Sequence, residues 1–243
     1  VKTTARWRSD RVQRDVTMVR WGTYGQPVLV FPTAGGDAEE IERMHLVAAV
    51  GPLIEAGKVK LYSCDSVAGA ALLAREGSPQ HQMWLQNQFQ QYVRHEVVPA
   101  IRNDCQSQDI EIWAAGASIG AFHAVATVCR WPDVFARACA MSGTYDLRRF
   151  YDTKEFSDDF WVSSAVHFVP TLAGIHLHKL RERFVVLACG EGRAEDIGES
   201  WRLADVLGKQ GIPNRVDNWG KDVHHDWPSW RAMLPKFLAE WTR

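Results

Sequence analysis

Short apolar runs alternate with longer amphipathic stretches along this chain. Runs rich in Val, Ile, Leu, Phe and Trp at 14–21, 26–31, 58–64, 109–114, 136–141, 183–189 and 214–219 predict strands. Between them, apolar positions recur every three or four residues at 38–56, 80–103, 119–130, 197–210 and 229–241, as in Leu203, Val206 and Leu207. That period predicts helices. Strand–helix alternation of this kind implies a mostly parallel sheet with helices on both faces. The first two runs are joined only by residues 22–25, too few for a crossover helix, so an antiparallel hairpin is expected at one edge. Segment 80–103, rich in Gln and His, reads as a surface helix with one packed face. Residues 144–179 break the alternation and predict a small excursion over the sheet, with any cap small or absent. No composition shift, repeat or low-complexity tract marks a linker, so residues 1–243 are expected to form one α/β domain.

Composition narrows the function more by exclusion than by assertion. The net charge of −1 lacks the basic excess of a nucleic-acid binder. No apolar run approaches the roughly 18 residues that span a bilayer. The five cysteines, Cys64, Cys105, Cys129, Cys139 and Cys189, show no paired spacing. That scatter fits a reducing, cytoplasmic setting better than a disulfide framework. The chain begins at Val1, which leaves an upstream targeting segment open.

Gly116-Ala117-Ser118-Ile119-Gly120 matches G-x-S-x-G. The motif is weak alone, but here it follows a predicted strand and opens a predicted helix. A strand–tight turn–helix lifts the central serine above the sheet, and the helix start near Ile119 offers free N–H groups to a developing oxyanion. A serine hydroxyl needs a base and a carboxylate that orients the base. The loop Asp222-Val223-His224-His225-Asp226, after the last predicted strand, supplies the base: His225 is preferred, with His224 as the alternative. After the sixth strand, Gly190-Glu191-Gly192-Arg193-Ala194-Glu195-Asp196 carries three carboxylates. Glu195 is preferred as the acid and Asp196 is its close alternative, one of the two being expected to serve the helix dipole. One oxyanion donor is the Ile119 N–H. The other is expected from the loop Pro32-Thr33-Ala34-Gly35-Gly36-Asp37, where Gly35 and Gly36 let the backbone approach a substrate. Asp65, just after a strand, sits where ligands bind in open α/β sheets and either lines the pocket or starts a turn. Trp227 and Trp230 follow the base closely and are candidates for the pocket wall. His176 and His178 lack a third ligand and read as solvated; His123 is expected to pack. No metal or organic cofactor is called for.

Four stretches, Phe31–Asp37, Gly116–Gly120, 189–195 and His225-Asp226-Trp227-Pro228-Ser229-Trp230, make the chain resemble the esterase D-type branch of the α/β-hydrolases. That branch includes S-formylglutathione hydrolases, mycolyltransferases and enterochelin esterases. The His-x-Trp-x-x-Trp ending is fairly specific to it and favours His225. The resemblance also implies Glu195 as the acid and Ala34 as the second oxyanion donor, and a small-molecule ester as partner. It does not carry over a substrate, because no family determinant can be placed on residues 144–179. The expectation is a serine esterase working through an acyl-enzyme. An acyltransferase or thioesterase with the same triad, or a non-catalytic binding module on the same fold, are the alternatives. Nothing in the chain decides whether it forms a homo-oligomer.

Overall fold

A computed structural model describes residues 1–243. The chain runs β1 (Lys2–Ser9), β2 (Arg14–Trp21), β3 (Gln26–Phe31), α1 (Glu40–Arg43), α2 (Leu46–Glu55), β4 (Val59–Cys64), α3 (Val67–Leu73) and α4 (Pro79–Tyr92). A wide π-type turn, Val93–Val97, leads into α5 (Val98–Asp104), β5 (Ile112–Ala117), α6 (Ile119–Arg130) and β6 (Phe135–Met141). Three short helices follow, α7 (Asp158–Ser163), α8 (Ala165–Phe168) and α9 (Gly174–Leu180), before β7 (Phe184–Cys189), α10 (Ile197–Lys209), β8 (Asn214–Asn218) and α11 (Trp227–Trp241).

The strands form one sheet in the order β1-β2-β4-β3-β5-β6-β7-β8. All neighbours from β4 to β8 are parallel, whereas β1–β2 and β2–β4 are antiparallel. Position in the sheet follows composition. Every residue of β4 and β5 is buried, so both lie in the interior, while polar β1 and half-exposed β8 take the edges. Within β3 the two-residue period divides the core. Leu29 and Phe31 pack with α4, α5 and α6 on one face; Val28 and Val30 pack with α2 and α11 on the other.

The antiparallel N-terminal hairpin is present, but β1 and β2 form it. The expected pairing of 14–21 with 26–31 does not occur, because β4 is inserted between them. Four linking residues reach up to roughly 13 Å, enough to cross two strand spacings of roughly 9.6 Å. All six residues of β4 are buried between its two neighbours, whereas β2 carries Arg14, Asp15 and Arg20 and sits nearer the sheet edge. The polar run of β1 gave no hydrophobic signal. Segment 38–56 breaks at His45, whose φ of 61° is left-handed, into α1 and α2. In 80–103 the helix continues but widens at Val93–Val97, just before Pro99, whose ring would collide with a carbonyl one turn back.

Helix α4 is more enclosed than a surface helix. Gln82, Gln86 and Gln90 are buried together with Met83, Leu85 and Phe89. The excursion covers α4: Asn87 donates to Asp159 at 2.7 Å and Gln90 to the Ser163 carbonyl at 2.9 Å. His123 is enclosed by Phe31, Phe89 and Phe122, and burial pushes its pKa down to about 3, so it stays neutral.

At the carboxyl end of β4, Asp65 ties strand β2 to the loop before α1. Its carboxylate accepts the Thr17 N–H at 2.7 Å and the Ala38 N–H at 3.0 Å. Replacing Asp65 by Ala removes both acceptors and is expected to cost about 1–2 kcal/mol. For a chain of this size that corresponds to a fall in melting temperature of roughly 2–8 °C, measurable by circular dichroism; an unchanged melting curve would show the tie to be dispensable.

Candidate active site

The turn after β5 is set by close packing. A Cβ on Gly120 would lie 2.5 Å from the Phe31 carbonyl oxygen, and one on Gly116 would lie 2.4 Å from the Gly120 carbonyl group. Only glycine lets β5, β3 and the start of α6 approach this closely. Between these glycines Ser118 is held at φ 58°, ψ −121°, a conformation that costs a non-glycine residue about 1–3 kcal/mol. It is also the one residue from Ile112 to Gly120 that is not buried. The strain therefore lifts a hydroxyl clear of a packed turn. The Ser118 N–H is anchored to the Met141 carbonyl of β6 at 3.0 Å. Ile119, at the start of α6, belongs to the first helical turn, whose N–H groups have no intrahelical partner. The Ala34 N–H makes no backbone hydrogen bond.

Beyond β7 the loop folds back on itself and places the Glu195 carboxylate at the end of β6. Ser142, the residue after β6, donates its hydroxyl to Glu195 Oε1 at 2.6 Å, and the Gly190 N–H reaches the same oxygen at 3.3 Å. Oε2 lies 3.4 Å from His225 Nδ1 and accepts the Cys189 thiol at 3.4 Å. The direction of the Ser142 proton is dictated: Trp230 Nε1, which can only donate, contacts the same hydroxyl oxygen at 2.9 Å, so the hydroxyl hydrogen points to Glu195. Burial raises the pKa of Glu195, but the bonds from His225 and Ser142 outweigh it and hold the carboxyl below its ordinary value. Burial, reinforced by the Glu195 charge, pushes Cys189 up to about 12 and keeps it a thiol donor.

The two neighbouring histidines separate cleanly. His224 turns into the β7 loop, where Nδ1 accepts the Arg193 N–H at 2.9 Å; a Cβ on Gly192 would collide with that ring at 2.0 Å. His225 donates its backbone N–H to the Arg193 carbonyl at 3.1 Å and turns its ring to Glu195. Its ring stands edge-on to Trp230 with centroids 5.2 Å apart. Its side chain is 24% exposed, whereas that of Glu195 is 1% exposed. The carboxylate is sealed in while the imidazole keeps part of its surface in solvent. Asp196 points elsewhere and caps α10 through the Gly198 N–H at 3.1 Å. Asp226 similarly caps α11 through Ser229.

Ala34, Ser118 and Ile119 line one cavity of about 300 Å³ with Leu72, Leu73, Thr144, Leu147 and Phe150 among others. Gly35, Asp65 and Trp227 are not in that lining. Asp65 ties β2 to the loop before α1, as described above, and Trp227 packs edge-on against Trp230 at 5.0 Å. His176 is not solvated as expected: on α9 it is half-buried and its Nε2 lies 2.8 Å from the Cys129 carbonyl, whereas His178 is exposed near Glu182. Ser142 was not read from the sequence as a site residue, and Trp230, expected in the pocket wall, is absent from that lining and instead donates its indole N–H to Ser142. The only available signal for Ser142 was its place one residue beyond a strand adjacent to the elbow, where the open sheet edge gathers ligands and catalytic groups.

The family model for esterases, described as "Putative esterase", matches residues 38–241. The chain belongs to this esterase family. The enzyme is thus a carboxylic ester hydrolase on an α/β-hydrolase fold, the branch that the four motifs resemble. No curated protein matches the sequence. Among solved structures, the esterase is similar to a ferulic acid esterase at 16% identity, covering 100% of this chain and 98% of that one, with a TM-score of 0.77. An S-formylglutathione hydrolase from Agrobacterium tumefaciens superposes at 11% identity over 99% and 94% of the two chains, TM-score 0.74. A fluorophosphonate-binding serine hydrolase of Staphylococcus aureus, substrate bound, does so at 11% identity over 100% and 98%, TM-score 0.70. At these identities the likeness establishes the fold. No helix of the esterase is long and apolar enough to cross a membrane.

The two carboxylates at the α10 start are separable by experiment. Asp196→Ala removes a helix cap and should cost about 1 kcal/mol of stability while leaving ester hydrolysis at the wild-type rate. A loss of kcat in this variant comparable to that of a Glu195 variant would contradict the division of labour read from the contacts.

Proposed function

We propose that the enzyme hydrolyses carboxylic esters through a Ser118–His225–Glu195 triad and an acyl-enzyme. The observation that carries this reading is the contact of Glu195 with Nδ1 of His225. Ser142 joins that pair to the end of β6, whose Met141 carbonyl also anchors the Ser118 backbone. With Nδ1–H turned to Glu195, Nε2 is the nitrogen left free for proton transfer.

In the first step the Ser118 oxygen attacks the ester carbonyl carbon as its proton passes to His225 Nε2. The carbonyl π electrons move onto oxygen, where the N–H groups of Ala34 and Ile119 stabilise the charge. The imidazolium is held by Glu195, whose low pKa keeps it anionic. The tetrahedral adduct collapses, the bond to the alcohol oxygen breaks, and that oxygen takes the proton from His225. In the second step water gives a proton to His225 Nε2 and attacks the acyl carbon. The bond to Ser118 then breaks, the serine oxygen recovers the proton, and the carboxylic acid leaves. Every group required is a side chain or backbone N–H of this chain.

A fluorophosphonate probe should label the wild type and not Ser118→Ala, which should also lose essentially all ester turnover; labelling that persists would exclude Ser118 as the nucleophile. Glu195→Gln should lower kcat by roughly 10³–10⁴ with a smaller effect on KM. Ser142→Ala, which deprives Glu195 of its shortest hydrogen bond and Trp230 of its acceptor, should lower kcat about tenfold through misplacement of the carboxylate. A change confined to KM would show that Ser142 does not position the acid.

A further inference from the structure

The cavity beside Ser118 has an asymmetric charge. Two guanidinium groups, Arg75 and Arg149, line it, and no carboxylate does. Neither arginine takes part in a salt bridge or a side-chain hydrogen bond, in contrast to their neighbours. Arg148 and Arg202 are bound to Asp146, and Glu76, next to Arg75 in the chain, is occupied by Arg14 at 2.9 Å. Arg149 lies over the Phe150 ring at 5.0 Å, a contact that supports its cation without neutralising it.

The two arginines reach the cavity from opposite sides of the elbow. Arg75 follows α3, which continues from β4, and Arg149 belongs to the Leu147–Phe150 turn that follows β6. In the sheet β4 and β6 lie on either side of the β3–β5 pair that carries Ala34 and Ser118. Between the cations the surface is apolar, and two of its residues are strongly exposed for their type: Leu73 at 68% and Phe150 at 46%. A ligand that covers these side chains removes apolar area from water, and one that also carries an oxyanion finds two unpaired forks, which match carboxylate and phosphate oxygens alike.

Resting on the esterase reading above, we propose that the substrate is an anionic ester. Its carboxylate or phosphate group docks on Arg75 and Arg149, and a short apolar segment lies against Leu73 and Phe150 between that group and the ester bond. The cations make no bond change; they hold the anion while Ser118 acts on the ester.

Matched substrates test this. On the acyl side, p-nitrophenyl hexanoate is compared with the p-nitrophenyl monoester of adipic acid and with p-nitrophenyl 6-phosphonohexanoate. On the alcohol side, phenyl hexanoate is compared with 3-carboxyphenyl hexanoate. In at least one pair the charged ester should have the higher kcat/KM, and the arm that shows it identifies both the anion and the side that carries it. Arg75→Gln and Arg149→Gln should each reduce the charged-to-neutral ratio about tenfold, as expected for loss of a charge-assisted contact, and the double variant should reduce it further. The control Arg8→Gln, outside the cavity, should keep the ratio. Salt should weaken the preference as it screens exposed charges. A ratio near one for every pair in the wild type, or a ratio unchanged in the double variant, overturns the proposal. If fluorophosphonate labelling depends on Ser118 while the ratio stays near one, only the anionic substrate falls; turnover that survives in Ser118→Ala removes the esterase mechanism and this proposal with it.

Discussion

The site depends on one buried charge. An ionised carboxylate taken out of water is costly unless its oxygens are fully bonded. Glu195 meets that condition with four partners: the Ser142 hydroxyl, the Gly190 N–H, the Cys189 thiol and the His225 ring. These groups lie at the ends of three successive strands, β6, β7 and β8. The cost of the charge thus becomes a reason for three loops to stay together. Trp230 closes the arrangement from α11 by holding the Ser142 oxygen, so the last helix of the chain helps to set a proton on the fifth strand's neighbour.

The second constraint is steric. Ser118 is held in a strained backbone conformation by a turn that has no room for a side chain at either glycine. Such strain persists only where the surroundings over-determine it. Here β5 is buried along its whole length, flanked by β3 and β6, with helices on both faces. A rigid sheet presents the hydroxyl, and a hydrogen-bonded loop cluster presents the imidazole. The Ser118 N–H to the Met141 carbonyl, one residue before Ser142, is the link between the two systems.

The proposed recognition of an anionic substrate rests on a different part of the molecule. The cavity walls come largely from α3 with the residues just after it and from the turn after β6, segments that lie outside the strands. The uncompensated arginines sit on those segments rather than on the strands.

Local patterns in the chain were enough to show the layered α/β order, the elbow at Gly116–Gly120 and the histidine loop before the last helix. Each of these is written in a few consecutive residues: apolar periods, paired glycines, a pair of histidines before a helix. The polar strand β1 and the insertion of β4 between β2 and β3 were not legible, since pairing partners are chosen by burial over the whole sheet and not by distance along the chain. Nor did spacing separate Glu195 from Asp196 or His224 from His225. Adjacent residues differ there only in which way the backbone turns, and that is decided by distant contacts: the Arg193 N–H that captures His224, the Gly198 N–H that captures Asp196, and Ser142, 53 positions from Glu195, that holds the carboxylate. Residue order is enough to say which kinds of groups are present and in what order they arrive at the sheet edge. The tertiary structure alone decided which of them meet, because hydrogen-bond direction and burial are properties of the assembled loops.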